Sequence, residues 1–332
     1  MSDESFRALR VHKNGEISAR FETLTLNDLN AGEVVIRPKY SSINYKDALA
    51  ITGAGPIIKN YPLVPGIDLS GVVEHSDDQR YFPGDDVIVT GCFIGEQFDG
   101  GLAQKARVSV ESLVPMPRGL NHREAMSLGT AGFTAGLALH RMLENHQTPD
   151  KGPIAVTGAT GGVGSIAIDL FSKLGYEVHA VTGKVEAQGD YLRALGASEV
   201  IDRNGLELGG RPLARADLGG VVDNVGGDVL AHLITRVRQF GNVACIGLAA
   251  SASLNTTVMP LILRGVSLLG IHSVECAMEL RRDIWIHLAG KWHPNHLDRI
   301  VSREITLDEV PEAAAAMIAG EIAGRTIVKL SD

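Results

Sequence analysis

A strand–turn–helix segment in the middle of the chain limits its possible folds more than any other feature. The apolar run Ile154–Thr157 enters a glycine-rich turn, and a helix-prone stretch, Ser165–Leu174, follows. Gly161 lets the backbone approach a pyrophosphate, and Gly164 lets the helix pack tightly against the strand. The N-terminus of the helix then presents free N–H groups and its positive dipole end to phosphates. The segment therefore predicts a dinucleotide-binding βαβ unit.

The residues that follow this unit indicate which dinucleotide is bound. The fingerprint begins with Ala159, so its pattern is A-x-G-x-x-G, a variant of the glycine motif. The next strand, Glu177–Val181, ends in Thr182-Gly183-Lys184, where a site for NAD has an acidic residue. A hydroxyl, a glycine and a cation suit a 2′-phosphate instead, and we therefore expect NADPH. A glycine turn that binds nothing is the alternative, but it does not account for the spacing of strand, helix and second strand.

Strand and helix patterns alternate from residue 152 onward. The six predicted strands are Ile154–Thr157, Glu177–Val181, Glu199–Ile201, Gly220–Asp223, Asn242–Ile246 and Val266–Ile271. The predicted helices are Gly162–Leu174, Gln188–Leu195, Asp228–Arg238 and Met278–Leu288. This alternation predicts a doubly wound parallel sheet with helices on both faces.

The chain on either side of this region has a different pattern. Short apolar runs separated by Gly, Pro and Asp turns predict a β-rich segment before residue 123, and the run Arg123–Met142 is helical in character. The tail contains the strand Arg303–Ile305, a helix from about Asp308 to Ala319 and the strand Arg325–Leu330. We expect this tail to return to the first domain.

Composition excludes several classes of function. The 332 residues suffice for two domains, and a net charge of −8 argues against nucleic acid and anionic membranes as partners. The N-terminal residues lack the apolar segment of a secretory signal, and Gly and Pro interrupt the uncharged stretch Phe240–Leu263, which is therefore not a membrane span. The three cysteines include no C-x-x-C and fit a reducing compartment. We expect a cytoplasmic enzyme.

Several phrases resemble the medium-chain dehydrogenase/reductase superfamily, whose fingerprint also lies behind a β-rich domain. SSINYKD at 41–47, PGIDLSG at 65–71 and GTAGFTA at 129–135 are similar to its quinone-oxidoreductase branch. YLRALGA at 191–197, TVMPLILR at 257–264 and GRTIVK at 324–329 resemble the NADPH-dependent acrylyl-CoA reductase group. The resemblance covers residues 6 to 330. It implies a GroES-like, β-rich catalytic domain over 1–124, completed by 299–332, and a Rossmann NADP(H)-binding domain over 125–298.

The zinc ligands of the superfamily's alcohol dehydrogenases are replaced in this chain. Where those enzymes have a cysteine and a His-Glu pair, the sequence reads Tyr45-Lys46-Asp47 and Ile67-Asp68. Neither a thiolate nor an imidazole is offered there to tetrahedral zinc. The pattern His293-Pro294-Asn295-His296 lacks the carboxylate base of a zinc protease helix and is expected to be a surface loop. We therefore expect no metal.

The resemblance also implies a set of residues around the cofactor. Some surround the pyrophosphate, others the 2′-phosphate, and the rest the nicotinamide or the substrate. These residues are Asn44, Tyr45, Thr130, Ala131, Thr160, Gly161, Gly162, Val163, Thr182, Gly183, Lys184, Arg203, Leu248, Ile271, Ser273 and Arg325. Arg325 is implied to approach the phosphates of the cofactor or the substrate. Lys46, Arg264, Arg281 and Arg282 are further cations available to a coenzyme A substrate.

Reduction of a conjugated C=C bond fits a site without metal. Hydride goes to the β-carbon, and a few N–H or O–H donors can stabilise the resulting enolate. The resemblance places the loop Asn44–Asp47 beside the nicotinamide, with Tyr45 as a candidate proton donor, Asn44 as an amide donor, and Asp47 orienting Asn44 or Lys46. A water molecule is the alternative source of the proton.

These observations favour three functions in descending order. The first is NADPH-dependent reduction of a short 2-enoyl-CoA, specifically acrylyl-CoA. The second is quinone or enone reduction on the same scaffold, and the third is a cofactor-binding protein without turnover, since a fold alone does not establish a function. The strand Val266–Ile271 is predicted to be last in its sheet. Superfamily members pair this edge with a second subunit, and we therefore expect a homodimer.

Overall fold

The structure, a computed structural model, describes residues 4–331 and divides into two compact units. The first contains the described chain up to Thr130, Ser273–Ala289 and the chain from Leu297 onward; the second contains Ala131–His272 and Gly290–His296. The strands are β1 Phe6–Asn14, β2 Glu16–Leu24, β3 Val34–Ile43, β4 Asp68–Ser76, β5 Asp86–Thr90, β6 Ala106–Val108, β7 Val114–Pro115, β8 Ile154–Thr157, β9 Val178–Thr182, β10 Glu199–Asp202, β11 Leu218–Asp223, β12 Val237–Cys245, β13 Ser267–Gly270, β14 Val301–Thr306 and β15 Arg325–Lys329.

The helices complete this description. They are α1 Tyr45–Thr52, α2 His122–Glu144, α3 Gly162–Lys173, α4 Val185–Ala194, α5 Gly227–Ile234, α6 Met259–Leu263, α7 Met278–Ala289, α8 Leu297–Ile300 and α9 Val310–Ile318. In the part of the chain that the structure describes, none of the helices has the length and apolarity needed to cross a bilayer.

The second unit is built on a six-stranded sheet with the order β10-β9-β8-β11-β12-β13. All five neighbouring pairs run parallel. Strands β9 and β10 lie on one side of β8, and β11, β12 and β13 lie on the other. The predicted doubly wound sheet is confirmed, with strand boundaries within a few residues of those expected. Its strands are apolar because helices cover both faces of such a sheet. The carboxyl ends of β8, β9 and β11 carry the residues expected to bind the cofactor.

The first unit contains a mixed sheet of order β14-β15-β3-β4-β5-β7, with β6 paired to β3 and a separate β1–β2 hairpin. The tail strand β15 pairs antiparallel with β3, from Thr326 opposite Ile43 to Lys329 opposite Tyr40. The tail therefore returns to the first unit, as the sequence predicts. The hairpin was not predicted, because charged residues interrupt the apolar alternation of β1 and β2.

Helix α1 lies in the first unit and packs against the tail helix α9. Ala48 and Ile51 of α1 share one buried apolar cluster with Val310 and Ala313 of α9. Small side chains let the two helix backbones approach closely. The sequence analysis treated residues 44–47 as a loop, and the structure corrects this: they form the N-cap and first turn of α1.

Residues 273–289 cluster with the first unit, whereas the resemblance implies that they belong to the Rossmann domain. The Arg281 side chain, fully buried, explains the difference. Its guanidinium donates to the carbonyl oxygens of Thr90 at 2.7 Å, Ser273 at 2.7 Å and Val274 at 3.0 Å. Helix α7 therefore belongs to the packing of the β-rich unit although its pattern follows that of the Rossmann helices.

Candidate functional site

The glycine turn between β8 and α3 has the close backbone approach that a pyrophosphate site needs. Gly161 is the N-cap of α3, and its N–H donates to the Gly158 carbonyl at 2.9 Å. A Cβ on Gly164 would overlap that same carbonyl, so helix and turn pack as closely as glycine permits. The first-turn N–H groups, at Gly162 and Val163 among others, have no partner inside the helix. This turn fits a dinucleotide pyrophosphate.

A buried network that the sequence analysis missed braces the turn. Asp223, at the end of β11, accepts hydrogen bonds from Thr157 Oγ1 at 2.7 Å and from the Gly226 N–H at 2.7 Å. Asn224 donates its side-chain amide to the Thr157 carbonyl at 2.8 Å. Burial raises the pKa of Asp223 above its ordinary value. The polar pair at the end of an apolar strand was the signal available in the sequence.

The residues expected around a 2′-phosphate lie together in the second unit. Thr182 ends β9, and its hydroxyl accepts the backbone N–H of Lys184 at 3.1 Å. The guanidinium of Arg203, after β10, lies 3.2 Å from the point where a Cβ of Gly183 would be. Gly183 is exposed, and because it has no side chain, the space beside the Arg203 guanidinium stays open. A hydroxyl and two cationic residues therefore border the end of β9. Asp202 of β10 lies opposite Thr182, and its carboxylate accepts the backbone N–H of Asn204 at 2.9 Å.

The other residues implied for the second unit have contrasting environments. Thr160 is buried beside the exposed Gly161, Leu248 is 66% exposed, and Ile271 is buried at 8% exposure. Ser273 belongs to the first unit, where its carbonyl accepts a hydrogen bond from the Arg281 guanidinium. Of this set, the surface position of Leu248 leaves its side chain most available to a ligand.

The N-terminus of α1 is fixed by a reciprocal capping box. The Asn44 backbone N–H donates to Asp47 Oδ2 at 2.8 Å, and Asp47 Oδ1 accepts the Ile67 N–H at 2.9 Å. Burial and the nearby charge of Asp68 raise the pKa of Asp47 to about 7, while the N–H donors of Asn44 and Ile67 act in the opposite direction. Asp47 therefore orients Asn44, one of the two alternatives expected. The other, Lys46, pairs with Glu96 at 2.8 Å.

The side-chain amide of Asn44 is occupied within the protein. Its Nδ2 donates to Asp68 Oδ2 at 2.8 Å and to Asp47 Oδ2 at 3.2 Å, and its Oδ1 accepts from Arg325 Nη1 at 2.9 Å. Both N–H groups and the carbonyl are used. The amide that the resemblance assigns to the cofactor or the substrate oxygen thus has its partners within the first unit.

Asp68 is the centre of this network and was not among the predicted site residues. Its fully buried carboxylate accepts from Ser42 Oγ at 2.5 Å, Asn44 Nδ2 at 2.8 Å and Thr130 Oγ1 at 2.5 Å. It also accepts the Thr130 N–H at 3.0 Å and lies 3.6 Å from Arg325 Nη2. The available signal was an acidic residue inside the apolar phrase at 65–71, because charged residues are almost never fully buried without a partner.

Arg325 lies inside the first unit, with only 3% of its surface exposed. Besides Asn44 and Asp68, its guanidinium contacts Ser42 Oγ at 2.7 Å and the Ser127 carbonyl at 3.1 Å. Burial lowers the pKa of Arg325 against the attraction of Asp68. This corrects the expectation that Arg325 approaches a phosphate, since its donors already have partners in the protein.

Thr130 follows a break in α2. At Gly129 the backbone has φ 52° and ψ −155°, a conformation that is essentially restricted to glycine. A Cβ there would lie 2.5 Å from Asp68 Oδ2 and from Arg325 Nη2. The break turns the Thr130 N–H toward Asp68, so this N–H is not available to a ligand. Ala131, the next residue, is buried.

Tyr45 differs from its neighbours in being accessible. It is the first residue of α1, and half of its surface is exposed. In the described part of the chain, its hydroxyl makes no hydrogen bond, whereas the neighbouring side chains of Asn44 and Asp47 are engaged. Among the residues predicted to be catalytic, Tyr45 therefore has the one unengaged polar group.

Two of the cations considered for a coenzyme A substrate are structural. Arg264 donates to the carbonyls of Thr235 at 2.7 Å and Ala214 at 2.5 Å, and Arg281 is fully buried. Their guanidinium groups hold loop carbonyls in place. Arg282 is exposed.

The described residues contain no group of three or more histidines, cysteines or acidic residues placed to hold a metal ion. The His293–His296 segment is held by Asp169 of α3. This buried carboxylate accepts the backbone N–H groups of Asn295 at 3.0 Å and His296 at 2.7 Å. Its role is to anchor a loop of the second unit.

Two known protein families match the chain in the order of the two units. The alcohol dehydrogenase GroES-like domain matches residues 30–118, and the zinc-binding dehydrogenase family matches residues 162–285. Together they cover more than half of the chain. They agree with the predicted combination of a GroES-like domain and a Rossmann domain.

Relatives of nearly equal length give a closer relationship. The putative quinone oxidoreductase YhfP of Bacillus subtilis is 46% identical over 98% of this chain and 99% of its own. The acrylyl-CoA reductase AcuI of Ruegeria pomeroyi is 44% identical, again over 98% of this chain and 99% of its own.

Solved structures of similar proteins agree in fold. The YhdH oxidoreductase from Salmonella enterica in complex with NADP has a TM-score of 0.95 and 42% identity, over 98% of this chain and all of that one. Bacillus subtilis YhfP with NAD bound has a TM-score of 0.96 and 45% identity, over the same shares. On this evidence the chain belongs to the medium-chain dehydrogenase/reductase superfamily of oxidoreductases, in its acrylyl-CoA reductase group.

Proposed function

We propose that the protein reduces the C=C bond of a short 2-enoyl-CoA with NADPH and without zinc, converting acrylyl-CoA to propanoyl-CoA. The observation that carries this proposal is the exposed Tyr45 hydroxyl at the N-terminus of α1, where the zinc enzymes have a metal ligand. A proton donor suits C=C reduction, whereas carbonyl reduction needs a stronger electrophile. The acrylyl-CoA reductase relative, 44% identical, supports this substrate class.

NADPH is the cofactor in this proposal. The turn at Thr160–Val163 holds the pyrophosphate through backbone N–H groups and the helix dipole. Lys184 and Arg203 receive the 2′-phosphate, with Thr182 and Gly183 beside them. The segment Thr182–Lys184 itself has no acidic residue of the kind that binds the ribose 2′-OH at an NAD site.

The chain's own residues perform the remaining steps. When bound, NADPH supplies the hydride that reaches the β-carbon of the substrate. The Tyr45 hydroxyl then donates a proton to the α-carbon, directly or through water. Asn44 and Asp47 do not touch the substrate; they hold the first turn of α1 and hence the position of Tyr45.

Quinone or enone reduction is the second candidate. The relative named putative quinone oxidoreductase is 46% identical, slightly more than the acrylyl-CoA reductase. Two of the four cations considered for coenzyme A hold backbone carbonyls, which weakens the case for a phosphate-rich substrate. A protein that binds NADPH without turnover is a more distant alternative, because the exposed Tyr45 hydroxyl beside a braced helix has no structural use of its own.

The chain is further proposed to form a homodimer in the cytoplasm. Strand β13 lies at the edge of its sheet, and the exposed fraction is 40% for Leu268 on this strand, 60% for Leu263 and 71% for Ile262. An apolar sheet edge of this kind is covered in native proteins, and continuation of the sheet into a second copy would cover it. The three unpaired cysteines fit a reducing compartment.

The substrate is tested by NADPH oxidation at 340 nm with acrylyl-CoA, with 1,4-benzoquinone and with NADH run in parallel. We expect kcat/KM for acrylyl-CoA to exceed that for the quinone by at least about 100-fold, because sites that hydrogen-bond a substrate's polar groups reject compounds that lack them by about 10⁴- to 10⁵-fold. Turnover of the quinone alone would make the protein a quinone reductase, and no turnover of either would favour the non-catalytic alternative.

Replacing Tyr45 by Phe removes the proposed acid and keeps the ring. Because a positioned acid contributes about 100-fold or more, we expect kcat/KM to fall by about that factor while KM for NADPH changes little. The matched control is Tyr61→Phe in the same unit, whose ring lies near Lys13. An unchanged kcat/KM in Tyr45→Phe would assign the proton to water.

Replacing Lys184 by Ala removes a cation from the proposed 2′-phosphate site. A lost charge-assisted contact should raise KM for NADPH by about 10-fold or more and leave KM for NADH nearly unchanged. Arg193→Ala, which removes an exposed cation of the following helix α4, serves as control. Equal effects on the two cofactors would contradict the role of Lys184.

The dimer is tested by sedimentation at micromolar concentration. The wild type should sediment as a dimer and Leu268→Lys as a monomer, because a charge on β13 cannot be buried at the sheet edge without a partner. Phe82→Lys, at an exposed apolar residue of the first unit, should leave the dimer intact. A monomeric wild type would exclude the homodimer.

A further inference from the structure

The side-chain amide of Asn44 is held at both ends by opposite charges. Asp68 accepts from its Nδ2 at 2.8 Å, and Arg325 donates to its Oδ1 at 2.9 Å. The amide cannot flip between its two orientations. A flip would place Nδ2 against the Arg325 donor and Oδ1 against the Asp68 acceptor, and both hydrogen bonds would be lost. Asn44 is also the N-cap of α1, so the amide fixes where the helix begins.

The same two charges also fix the chain at the break in α2. Asp68 accepts both the N–H and the hydroxyl of Thr130 at the break after Gly129. Arg325 donates to the Ser127 carbonyl just before the break. The pair therefore ties the start of α1 to the break in α2.

Stability alone does not explain a charge pair in this position. Asp68 is completely buried and Arg325 is 3% exposed, and their closest charged atoms are 3.6 Å apart. The free energy needed to remove two charges from water is about as large as their attraction in the interior. Apolar residues of similar volume therefore often stabilise a core equally well. Apolar residues cannot, however, form directed hydrogen bonds to Asn44, Ser42 and Thr130.

We propose that Asp68 and Arg325 are a positioning pair for the reduction, which sets the place of the Tyr45 hydroxyl by clamping the Asn44 amide. Neither residue touches the substrate; both act through the first turn of α1. The inference rests on the proposed function, in which Tyr45 delivers the proton. In a folded variant with the clamp loosened, NADPH still binds, but the hydroxyl is misplaced relative to the α-carbon.

The test is Arg325→Lys, which retains the positive charge and loses the planar fork that reaches Asn44 and Ser42 together. Because a misplacement of about 1 Å can cost about 100-fold in rate, we expect kcat to fall by about 10- to 100-fold. KM for NADPH should change by less than about 3-fold, because the second unit binds the cofactor phosphates in the proposed function. The deuterium isotope effect on kcat in ordinary against heavy water should increase as proton transfer becomes slower.

The matched control is Asp99→Asn. Asp99 is likewise a buried carboxylate of the first unit, and it accepts the N–H groups of Val64 at 2.9 Å and Asn30 at 2.7 Å, apart from the clamp. Its replacement should lower the unfolding temperature but leave kcat and the solvent isotope effect unchanged. If Arg325→Lys behaves in the same way, the pair is structural and the positioning role is overturned.

Ser42→Ala decides the question if Arg325→Lys does not fold. The Ser42 hydroxyl donates to Asp68 at 2.5 Å and accepts from Arg325 at 2.7 Å. Replacing Ser42 by Ala removes only this hydroxyl and keeps both charges. A lower kcat at unchanged KM for NADPH supports the clamp, and an unchanged kcat overturns it. Failure of the proposed function is distinguishable, because in that case the wild type itself would not reduce acrylyl-CoA or the quinone.

Discussion

Asp68 and Arg325 join segments that are distant in the sequence: strand β4, the tail strand β15, the break in α2 and the N-terminus of α1. Within the first unit, the side chains of Ser42 and Asn44 contact both charges, and that of Thr130 contacts Asp68. Ser42, Asn44 and Thr130 all direct hydrogens at Asp68. Buried polar networks specify one arrangement when all their groups are satisfied. Tyr45 is left as the accessible polar group at the rim of an otherwise closed network.

The two units provide different parts of the proposed chemistry, and each does so from its own architecture. In the second unit, parallel strands end at one edge of the sheet, where β8 leads into the glycine turn and β9 ends in Thr182. In the first unit, a mixed sheet and two helices hold the first turn of α1 in place. In the proposed function, the phosphates are recognised mainly by backbone and charge, whereas proton transfer depends on the orientation of a few side chains.

Much of the second unit could be predicted from the sequence, because buried parallel strands and their helices have distinct apolar periods and the glycine turn has few alternatives. The N-terminal hairpin and α1 were harder, since β1 and β2 are interrupted by charges and α1 is only eight residues long. The partners of the predicted residues could not be read from the sequence, and Asp68 and Asp223 do not stand out in it as centres of buried networks. Asn44 and Arg325 have the composition of ligand-binding residues, and only their three-dimensional partners show that their donors are used inside the protein.

The return of β15 to β3 has a consequence for the order in which the protein is made. Arg325 follows Asn44 by 281 positions, and the whole sheet of the second unit lies between them in the chain. During synthesis, the second unit can therefore form before the tail is made. At that stage Asp68 still lacks its counter-charge, Arg325, and β3 lacks one of its neighbouring strands, β15. The first unit must stay open until the tail strand arrives, so its closure is a late, long-range step with a large loop to bring together. Assembly of the network around Asp68 and Arg325 would then coincide with the completion of folding.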